Sequence, residues 1–299
     1  MGKQFVDQPF IFRCDFVQSI DLALNLLTVL IQFSLPQLII GLALAAIVSF
    51  AAWKLGSLDA SGFVAATLLG GFTFGLGGLP TAILLIIFFA SSSLLSGASA
   101  CRKKSVTKNF AKSAKRDWAQ VLANGGVGLL ALAACVPGFL DTHLAWVAFA
   151  GALACANADT WATELGVLGK ATPVLITSGK KVPPGTSGGI SGRGNLAALV
   201  GAFLIAVIAA LFAGRWQVLP IVALAGFLAS FVDSTIGATV QAIYWCPSCK
   251  KETERHPLHS CGTPTTLKRG WSWLGNDGVN FLATLSGALL AAGAATFWL

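Results

Sequence analysis

Long apolar segments alternate with polar connections along most of the chain. From Leu35 onward, the apolar windows predict helices near residues 36–54, 62–79, 80–97, 118–136, 144–158, 195–213, 217–239 and 279–298. A helix needs about 20 mostly apolar residues to cross the hydrocarbon core of a bilayer. The pattern therefore predicts an all-α fold, a polytopic membrane helical bundle with about seven to nine transmembrane helices.

Two parts of the chain depart from this pattern. The segment 62–79 is rich in glycine, which leaves a straight span and a broken or re-entrant helix as alternatives. The apolar run from Cys14 to Phe33 contains Asp15, Asp21 and Asn25, which fits an interfacial amphipathic helix or an extra weak span. We predict an N-terminal extension over residues 1–34 and one polytopic domain over residues 35–299.

Three long polar loops are predicted on one face of the membrane. They cover residues 98–117, 159–194 and 240–278, and two predicted helices separate each loop from the next. The formal positive charge gathers in the segments from Arg102 to Arg116 and from Lys170 to Arg193, whereas the opposite connections are short and hold few basic residues. Because basic loops mark the cytoplasmic side, the three loops are expected to be cytoplasmic or stromal.

Composition supports the membrane interpretation and narrows the choice of partners. Hydrophobic residues make up 55% of the 299 residues and charged residues 11%, far below the roughly 25% charged residues of soluble domains. The formal charge of +8 lies in loops between membrane spans, so it favours lipid headgroups or phosphates and argues against nucleic acid. Few lysines and many alanines favour a bacterial inner or thylakoid-type membrane, or a plastid envelope.

Carboxylates stand at two apolar helix ends on the same predicted face. Asp159 and Glu164 follow the helix 144–158, and Asp233 lies near the end of the helix 217–239. Charged groups at such positions are costly unless they are used or wetted. Mg²⁺ prefers a few carboxylates together with substrate phosphate oxygens, so a magnesium site is predicted here. A solvated helix end, or a helix-end hydrogen-bond partner, is the alternative for these side chains.

The loop that follows Glu164 combines glycines, hydroxyls and cations. Glycines allow close backbone approach to a phosphate, and cations supply the opposite charge. The order GxxxxGK[ST] of a Walker A loop is absent. A plain flexible loop would explain the glycines alone, but the combination predicts nucleotide or phosphate binding by Lys180, Lys181, Gly185, Thr186, Ser187, Gly188, Gly189 and Arg193.

The third loop carries a potential zinc site. Zinc favours four nitrogen and sulfur ligands, and a closed set of four leaves no position for catalysis. A structural Zn²⁺ would make the loop 240–278 a rigid flap over a membrane pocket; reduced thiols without metal are the alternative. The clustering of these cysteines favours metal in a reducing compartment. The predicted ligands are Cys246, Cys249, His259 and Cys261, with His256 as a spare.

Two helix starts on this face carry further polar groups. Asn276, Asp277 and Asn280 have the spacing that places side chains on one helical face. Asn124 follows Arg116, Asp117 and Gln120 at the start of the helix 118–136. These residues are predicted to bind a substrate phosphate or to complete the metal site. A wetted helix start is the alternative at the second position.

Five segments of the chain carry a family resemblance. They read ADTWATELG, LITSGKKVPPGTSGGIS, FVDSTIGATVQ, CPSC through HSCG, and WLGNDGVNF. Together they resemble the membrane family of transmembrane protein 19, also called domain of unknown function ninety-two. The resemblance runs from about Leu35 to the C-terminus. The first and second segments are also similar to the acidic helix end and basic loop of the CTP-using phytol and dolichol kinases.

The plant member of that family is phytyl-phosphate kinase, which acts in tocopherol synthesis. The resemblance thus implies a Mg²⁺-dependent kinase that uses a nucleoside triphosphate, with CTP favoured, to convert phytyl or geranylgeranyl monophosphate to the diphosphate. The residues that match this chemistry are Asp159, Glu164, Asp233 and Asp277 as catalytic groups, with Asn124, Asn276 and Asn280 at the substrate phosphate.

Two other functions stay open on the sequence. A transporter or scramblase for an anionic lipid or small anion would use Asp159 and Asp233 to couple ions, although no inverted repeat is evident. A non-catalytic assembly factor would tolerate changes in the glycine-rich loop. The expected partners are a prenyl phosphate lipid, a nucleotide and membrane lipids. A homodimer is also compatible with the sequence.

Overall fold

The computed structural model describes residues 35–103, 115–136, 138–169 and 171–298, and within them the chain is mainly helical. The predicted extension 1–34 and Lys170 lie outside the described residues. Seven helices occur in the described part of the chain: α1 (Leu35–Lys54), α2 (Ala60–Lys103), α3 (Trp118–Cys135), α4 (Thr142–Gly166), α5 (Gly192–Ala213), α6 (Val218–Thr239) and α7 (Asn276–Trp298).

Two small antiparallel sheets lie in the loops. Strands β1 (Val174–Leu175) and β2 (Gly189–Ile190) pair within the glycine-rich loop. Strands β3 (Ile243–Cys246), β4 (Lys251–Thr253) and β5 (Thr266–Arg269) form a sheet in the order β4-β3-β5 within the predicted flap. The all-α prediction holds for the membrane bundle, and the strands add local structure where backbone groups of the loops must find hydrogen-bond partners.

Helix α2 is a hairpin of two arms rather than one straight rod. Its 44 residues would extend about 66 Å as a straight helix, twice the thickness of the hydrocarbon core. Gly78 adopts a non-helical conformation with a φ of 67°, and Pro80 follows it. The hydroxyl of Thr81 donates to the carbonyl of Thr73 at 2.9 Å, which requires the chain to reverse. The arms confirm the two predicted helices 62–79 and 80–97.

By length and composition, six of the helices in the described part of the chain can cross a membrane, namely α1, α2, α3, α5, α6 and α7. With α2 as two arms, the eight predicted apolar segments are all helical. Large apolar side chains remain exposed along these helices, for example Ile47, Leu130, Leu211 and Leu289. Such outward-facing apolar surface is typical of contact with lipid, and the chain is a helical membrane protein.

Helix α4 lies at the centre of the bundle. Its residues from Ala145 to Ala158 are buried, except for the partly buried Trp146. It packs against α2, α3, α5, α6 and α7. The neighbours approach closely because small residues face each other, as where Gly226 of α6 meets the backbone of Ala154 and Gly287 of α7 meets Gly151.

Helix α4 continues past the predicted end at residue 158. Asp159 and Glu164 therefore lie within its last two turns, and the glycine-rich loop begins after Gly166 rather than at residue 159. The apolar window ended at the first charged side chain, but Ala162 and Leu165 still favour helix. The side chain of Asn157 secures this region, since it accepts from Ser91 and Ser92 and donates to the carbonyl of Gly201.

The close approach of α4 and α6 predicts a strict size limit at Gly226. A Cβ atom there would lie 2.7 Å from the carbonyl carbon of Ala154, so Gly226→Ala should destabilise the fold by about 1–3 kcal/mol through overpacking. Gly293→Ala on α7 is the control, because no atom lies within 4 Å of the added carbon. Thermal unfolding in detergent should show a lower midpoint for Gly226→Ala alone; equal midpoints for both variants would contradict the packing.

Candidate functional site

A polar cavity of about 680 Å³ opens at the end of the bundle where the polar loops meet. Helices α2, α3, α4, α6 and α7, the glycine-rich loop and the flap all contribute to its wall. Loops predicted on one face thus converge on a single cavity. The predicted site residues on its wall are Asn124, Asp159, Glu164, Gly185, Thr186, Ser187, Gly188, Gly189, Asp233, Asn276 and Asn280.

Two carboxylates from neighbouring helices form the acidic part of the cavity. Asp159 on α4 and Asp233 on α6 are partly buried, and both line the cavity. The Oδ2 atom of Asp233 is buried without a hydrogen-bond partner among the described residues. A buried carboxylate oxygen without a partner is costly unless a cation or donor binds it. The pair therefore fits a divalent cation such as Mg²⁺, which often takes one or two protein carboxylates.

Glu164 does not join this pair in one compact ligand set. Among the described residues, the only group of three or more Cys, His, Asp or Glu side chains close enough to share an ion is the cysteine and histidine cluster of the flap. Glu164 instead accepts a hydrogen bond of 2.8 Å from Ser96 on α2. Its charge acts on Arg116, at the start of α3.

The glycine-rich loop is held against the end of α6. Gly188 has a φ of 80°, and a Cβ atom there would lie 2.5 Å from the backbone nitrogen of Ala238. The hydroxyl of Ser187 donates to the carbonyl of Gly237 at 3.1 Å and also contacts the side chain of Gln241. The absence of a side chain at Gly188 therefore lets the loop dock beside Asp233.

The predicted cations of this loop do not line the cavity. Lys180 and Lys181 are exposed near the β1–β2 hairpin, and Arg193 is exposed in the first turn of α5. Among the described side chains, the arginines that line the cavity are Arg116 and Arg255. Sequence reasoning did not assign a binding role to Arg255 because it lies in the charged run KKETERH, a pattern typical of a solvated loop.

Helices α3 and α7 supply the amide side chains. Asn124 lines the cavity on the same face of α3 as Gln120, one helical turn further along. Arg116 lines it from just before the helix. Asn276 and Asn280 line it from the first turns of α7, whereas Asp277 is not on the wall. The Oε1 atom of Gln120 is buried without a hydrogen-bond partner among the described residues.

The flap brings its predicted metal ligands together. The ligand atoms of Cys246, Cys249, His259 and Cys261 all lie within 4.8 Å of one another. The sulfur atoms of Cys246 and Cys261 are 3.6 Å apart, and Nδ1 of His259 is 3.5 Å from the sulfur of Cys249. Tetrahedral Zn²⁺ with Zn–S bonds of about 2.3 Å requires sulfur atoms about 3.8 Å apart, so the cluster is compatible with structural zinc.

Contacts within the cluster shift the pKa values of two thiols in opposite directions. The hydrogen bond with Cys261 raises the pKa of the Cys249 thiol to about 11. Hydrogen bonds with Thr263 and His259 lower the pKa of the Cys261 thiol to about 5. The spare candidate His256 stacks on Tyr244 with ring centroids 4.4 Å apart and takes no part in the cluster.

The flap also reaches the cavity wall. Glu254, Arg255 and Ser260 line the cavity, and the side chain of Gln241 donates to Glu254 at 3.1 Å. The Nε atom of Arg255 is buried without a hydrogen-bond partner among the described residues. A metal that fixes the flap would therefore also fix the position of Arg255.

The fold and the cavity define an integral membrane protein with a polar site at one end of a helical bundle. The sequence profile described as "Integral membrane protein DUF92" matches residues 43–288, and the chain belongs to that family. This confirms the family resemblance. No solved structure matches the chain.

Three relatives illustrate the spread of this similarity. Protein PGR of Arabidopsis thaliana is 33% identical over 87% of this chain and 97% of its own length. An uncharacterized membrane protein of Methanocaldococcus jannaschii is 29% identical over 69% of this chain and 84% of its own. Protein VTE6, chloroplastic, of Arabidopsis thaliana is 26% identical over 78% of this chain and 64% of its own.

The cysteine cluster predicts stoichiometric zinc in the purified protein. Cys261→Ser should remove most of it, because three remaining ligands leave the site open. Elemental analysis by mass spectrometry after removal of loosely bound metal would measure the zinc content. Cys135→Ser, outside the cluster, should leave the content unchanged. Full zinc content in Cys261→Ser, or none in the unchanged protein, would contradict the site.

The docked loop predicts that Gly188→Ala destabilises the protein more than Gly179→Ala. Both glycines have a positive φ, so each substitution costs about 1–2 kcal/mol of backbone strain. Only at Gly188 does the added carbon also overlap the backbone of Ala238, whereas no atom lies within 4 Å at Gly179. Thermal unfolding should therefore give a larger loss for Gly188→Ala. Equal losses would mean that the loop is not held against α6.

Proposed function

We propose that this protein is a Mg²⁺-dependent prenyl-phosphate kinase, which transfers a phosphoryl group from a nucleoside triphosphate to phytyl or geranylgeranyl monophosphate. The observation that carries the proposal is the carboxylate pair Asp159 and Asp233, which shares a cavity with the glycine-rich loop. Carboxylates repel phosphates unless a cation lies between them. A metal bound to phosphate oxygens is the arrangement that makes this combination of groups useful.

Family membership supports the same chemistry. The chain belongs to the family whose resemblance implies a phytyl-phosphate kinase, and it carries the acidic segments and the glycine-rich loop on which that resemblance rests. A cavity at the membrane edge is also where a water-soluble nucleotide and a membrane-bound prenyl phosphate can meet. CTP is the favoured donor because the loop resembles that of the CTP-using lipid kinases.

The proposed reaction needs no strong base. An oxygen of the acceptor monophosphate, already an anion, attacks the γ-phosphorus of the nucleotide and forms a new P–O bond. The bond between that phosphorus and the β,γ-bridging oxygen breaks, and its electron pair leaves with the nucleoside diphosphate. In such transfers the protein mainly positions the reactants and offsets negative charge.

The residues of the cavity divide this work. Asp159 and Asp233 would hold Mg²⁺, which would neutralise charge on the transferred phosphoryl group. The backbone N–H groups of Ser187 and Gly188 would bind the nucleotide phosphates, whereas those of Thr186 and Gly189 already donate within the loop. Arg255, whose buried Nε lacks a partner among the described residues, would add a fixed positive charge from the flap.

The remaining predicted residues have less direct roles in this proposal. Asn276 and Asn280 would orient a phosphate by hydrogen bonds from α7. Lys180, Lys181 and Arg193 would attract anions to the cavity mouth by their long-range field. Zinc in the flap would keep Arg255 in place and limit the access of water to the transferred group.

The carboxylate pair predicts that Asp159→Asn and Asp233→Asn each lower phosphoryl transfer by about 100-fold or more while the protein stays folded. The matched control is Asp141→Asn. Asp141 caps the opposite end of α4, about 27 Å along the helix from Asp159, and asparagine preserves a helix cap. Full activity of either cavity variant would contradict the assignment.

The test uses purified protein in detergent with Mg²⁺, a prenyl monophosphate and CTP, ATP, GTP or UTP in turn. Mass spectrometry would detect the prenyl diphosphate and identify the donor. Absence of product with all four donors, from folded protein that binds zinc, would refute the kinase proposal. Flux of anionic lipids or small anions across liposome membranes would then test the transport alternative.

A further inference from the structure

A second cavity lies beside the polar one and is almost entirely apolar. It has a volume of about 250 Å³ and lies between α1, both arms of α2 and α3. Its wall is formed by aliphatic and aromatic side chains, including Leu44, Val48, Leu69, Leu85, Phe88 and Phe89. We call this second cavity the apolar groove.

The apolar groove and the polar cavity share part of their wall. Arg116, Gln120 and Asn124 line both spaces. Gln120 and Asn124 are four residues apart on α3 and share one face of it, and Arg116 lies just before the N-terminus of that helix. The three residues separate the apolar groove from the polar cavity. An amphipathic molecule with a charged head and an apolar tail would therefore contact these three residues with its head and the groove with its tail.

Arg116 places a positive charge in largely apolar surroundings. Burial lowers the pKa of its guanidinium to about 10, a value at which it still stays charged near neutral pH. The charge of Glu164 acts in the opposite direction and raises this pKa, but its effect is smaller than that of burial. Its Nη1 donates to the hydroxyl of Ser93 at 3.4 Å, and its Cζ lies 5.1 Å from the ring centroid of Phe89. A partly buried arginine is well suited to bind a phosphate by two parallel hydrogen bonds.

Gln120 supplies an unsatisfied group in the same shared wall. Its Oε1 atom is buried without a hydrogen-bond partner among the described residues. The oxygen and nitrogen of a glutamine amide are assigned from hydrogen bonds, and rotation of the amide places its two N–H donors at this position. A phosphate oxygen bound there would accept from both Arg116 and Gln120.

We infer that the apolar groove holds the tail of the polyisoprenyl monophosphate acceptor and that Arg116 binds its phosphate, an assignment that rests on the proposed kinase function. The acceptor then enters from the α3 side of the polar cavity. The nucleotide would then bind on the other side of the polar cavity, which is formed by the glycine-rich loop and the flap. Helix α4 packs against both α3 and α6, and its Asp159 lines the polar cavity. The acceptor and the nucleotide would meet at this residue.

The groove also limits the length of the tail. It extends along the second arm of α2 from Phe89, next to Arg116, to Leu79 beside the hairpin turn. Ten residues of helix span about 15 Å, which is the length of the groove along this arm. A long isoprenoid tail would therefore occupy most of the groove, from the loop face toward the turn. Ala82 lies near the far end of this path. A larger side chain there shortens the space available to a long tail but leaves room for a short one.

The first experiment compares Ala82→Phe with Ala90→Phe. Ala90 lies on the same arm but is exposed and outside the groove, so it controls for the added ring in the membrane. Native mass spectrometry would measure binding of phytyl monophosphate and of the shorter geranyl monophosphate. Ala82→Phe should weaken phytyl monophosphate binding at least tenfold and preserve geranyl monophosphate binding, whereas Ala90→Phe should bind both like the unchanged protein. Unchanged selectivity in Ala82→Phe would overturn the assignment of the groove.

The second experiment tests the head group through kinetics. Arg116→Gln should raise the KM for prenyl monophosphate at least tenfold and leave the KM for the nucleotide within twofold, and Arg116→Lys should recover part of the loss. Equal effects of Arg116→Gln on both KM values, or none, would overturn the role of Arg116. If the variant fails to fold, the Ala82→Phe comparison still decides the tail site.

The two proposals fail in distinguishable ways. An enzyme that makes prenyl diphosphate but shows the same chain-length preference after Ala82→Phe supports the kinase and rejects the groove. A protein that makes no diphosphate but loses only long-chain prenyl phosphate binding after Ala82→Phe supports the groove and rejects the kinase.

Discussion

The close packing of small residues around α4 is the constraint on which the other features depend. Gly226 and Gly287 let the backbones of α6 and α7 come near that of α4, so alanine and glycine fill the centre of the bundle. In a membrane this packing replaces the hydrophobic effect, which gives little advantage to burying apolar groups already in lipid. The same closeness brings Asp159 of α4 and Asp233 of α6 to one cavity. Tight packing in the apolar interior thereby fixes the spacing of the charged groups at its end.

The flap and the glycine-rich loop complete the cavity. Specific contacts hold each of them in place. The loop is held by Gly188 against α6 and by the hydroxyl of Ser187. The flap has its own three-stranded sheet and a cysteine and histidine cluster compatible with zinc. Small units of this size have too little apolar core to be stable alone, so a metal is an effective substitute. Rigid walls on both sides let the groups of a polar site keep their positions without a large soluble domain.

The sequence predicted the helices well because membrane helices depend on local apolar length, and the eight apolar windows match α1, both arms of α2, and α3 to α7. It also predicted the four clustered flap ligands, whose spacing is short. The sequence was a poorer guide to loop side chains, because their positions depend on how the loops fold. Their place in the glycine-rich loop predicts Lys180 and Lys181 at the phosphate site, but in the structure they are exposed between β1 and β2. Arg255 lies in a charged run that looks solvated, and only the folded flap turns it toward the cavity.

The distribution of charge in the polar cavity favours a site for two anions and a cation over a site for one anion. Among the described residues of its wall, four are carboxylates, Asp159, Glu164, Asp233 and Glu254, and two are arginines, Arg116 and Arg255. Without a metal, this excess of carboxylates would repel a polyphosphate. With a divalent cation at Asp159 and Asp233, the local charge is offset and each arginine is free to serve a different substrate. Because Arg116 lies just before α3 and Arg255 lies in the flap, the lipid phosphate and the nucleotide phosphates would be bound by separate elements and meet only at the metal.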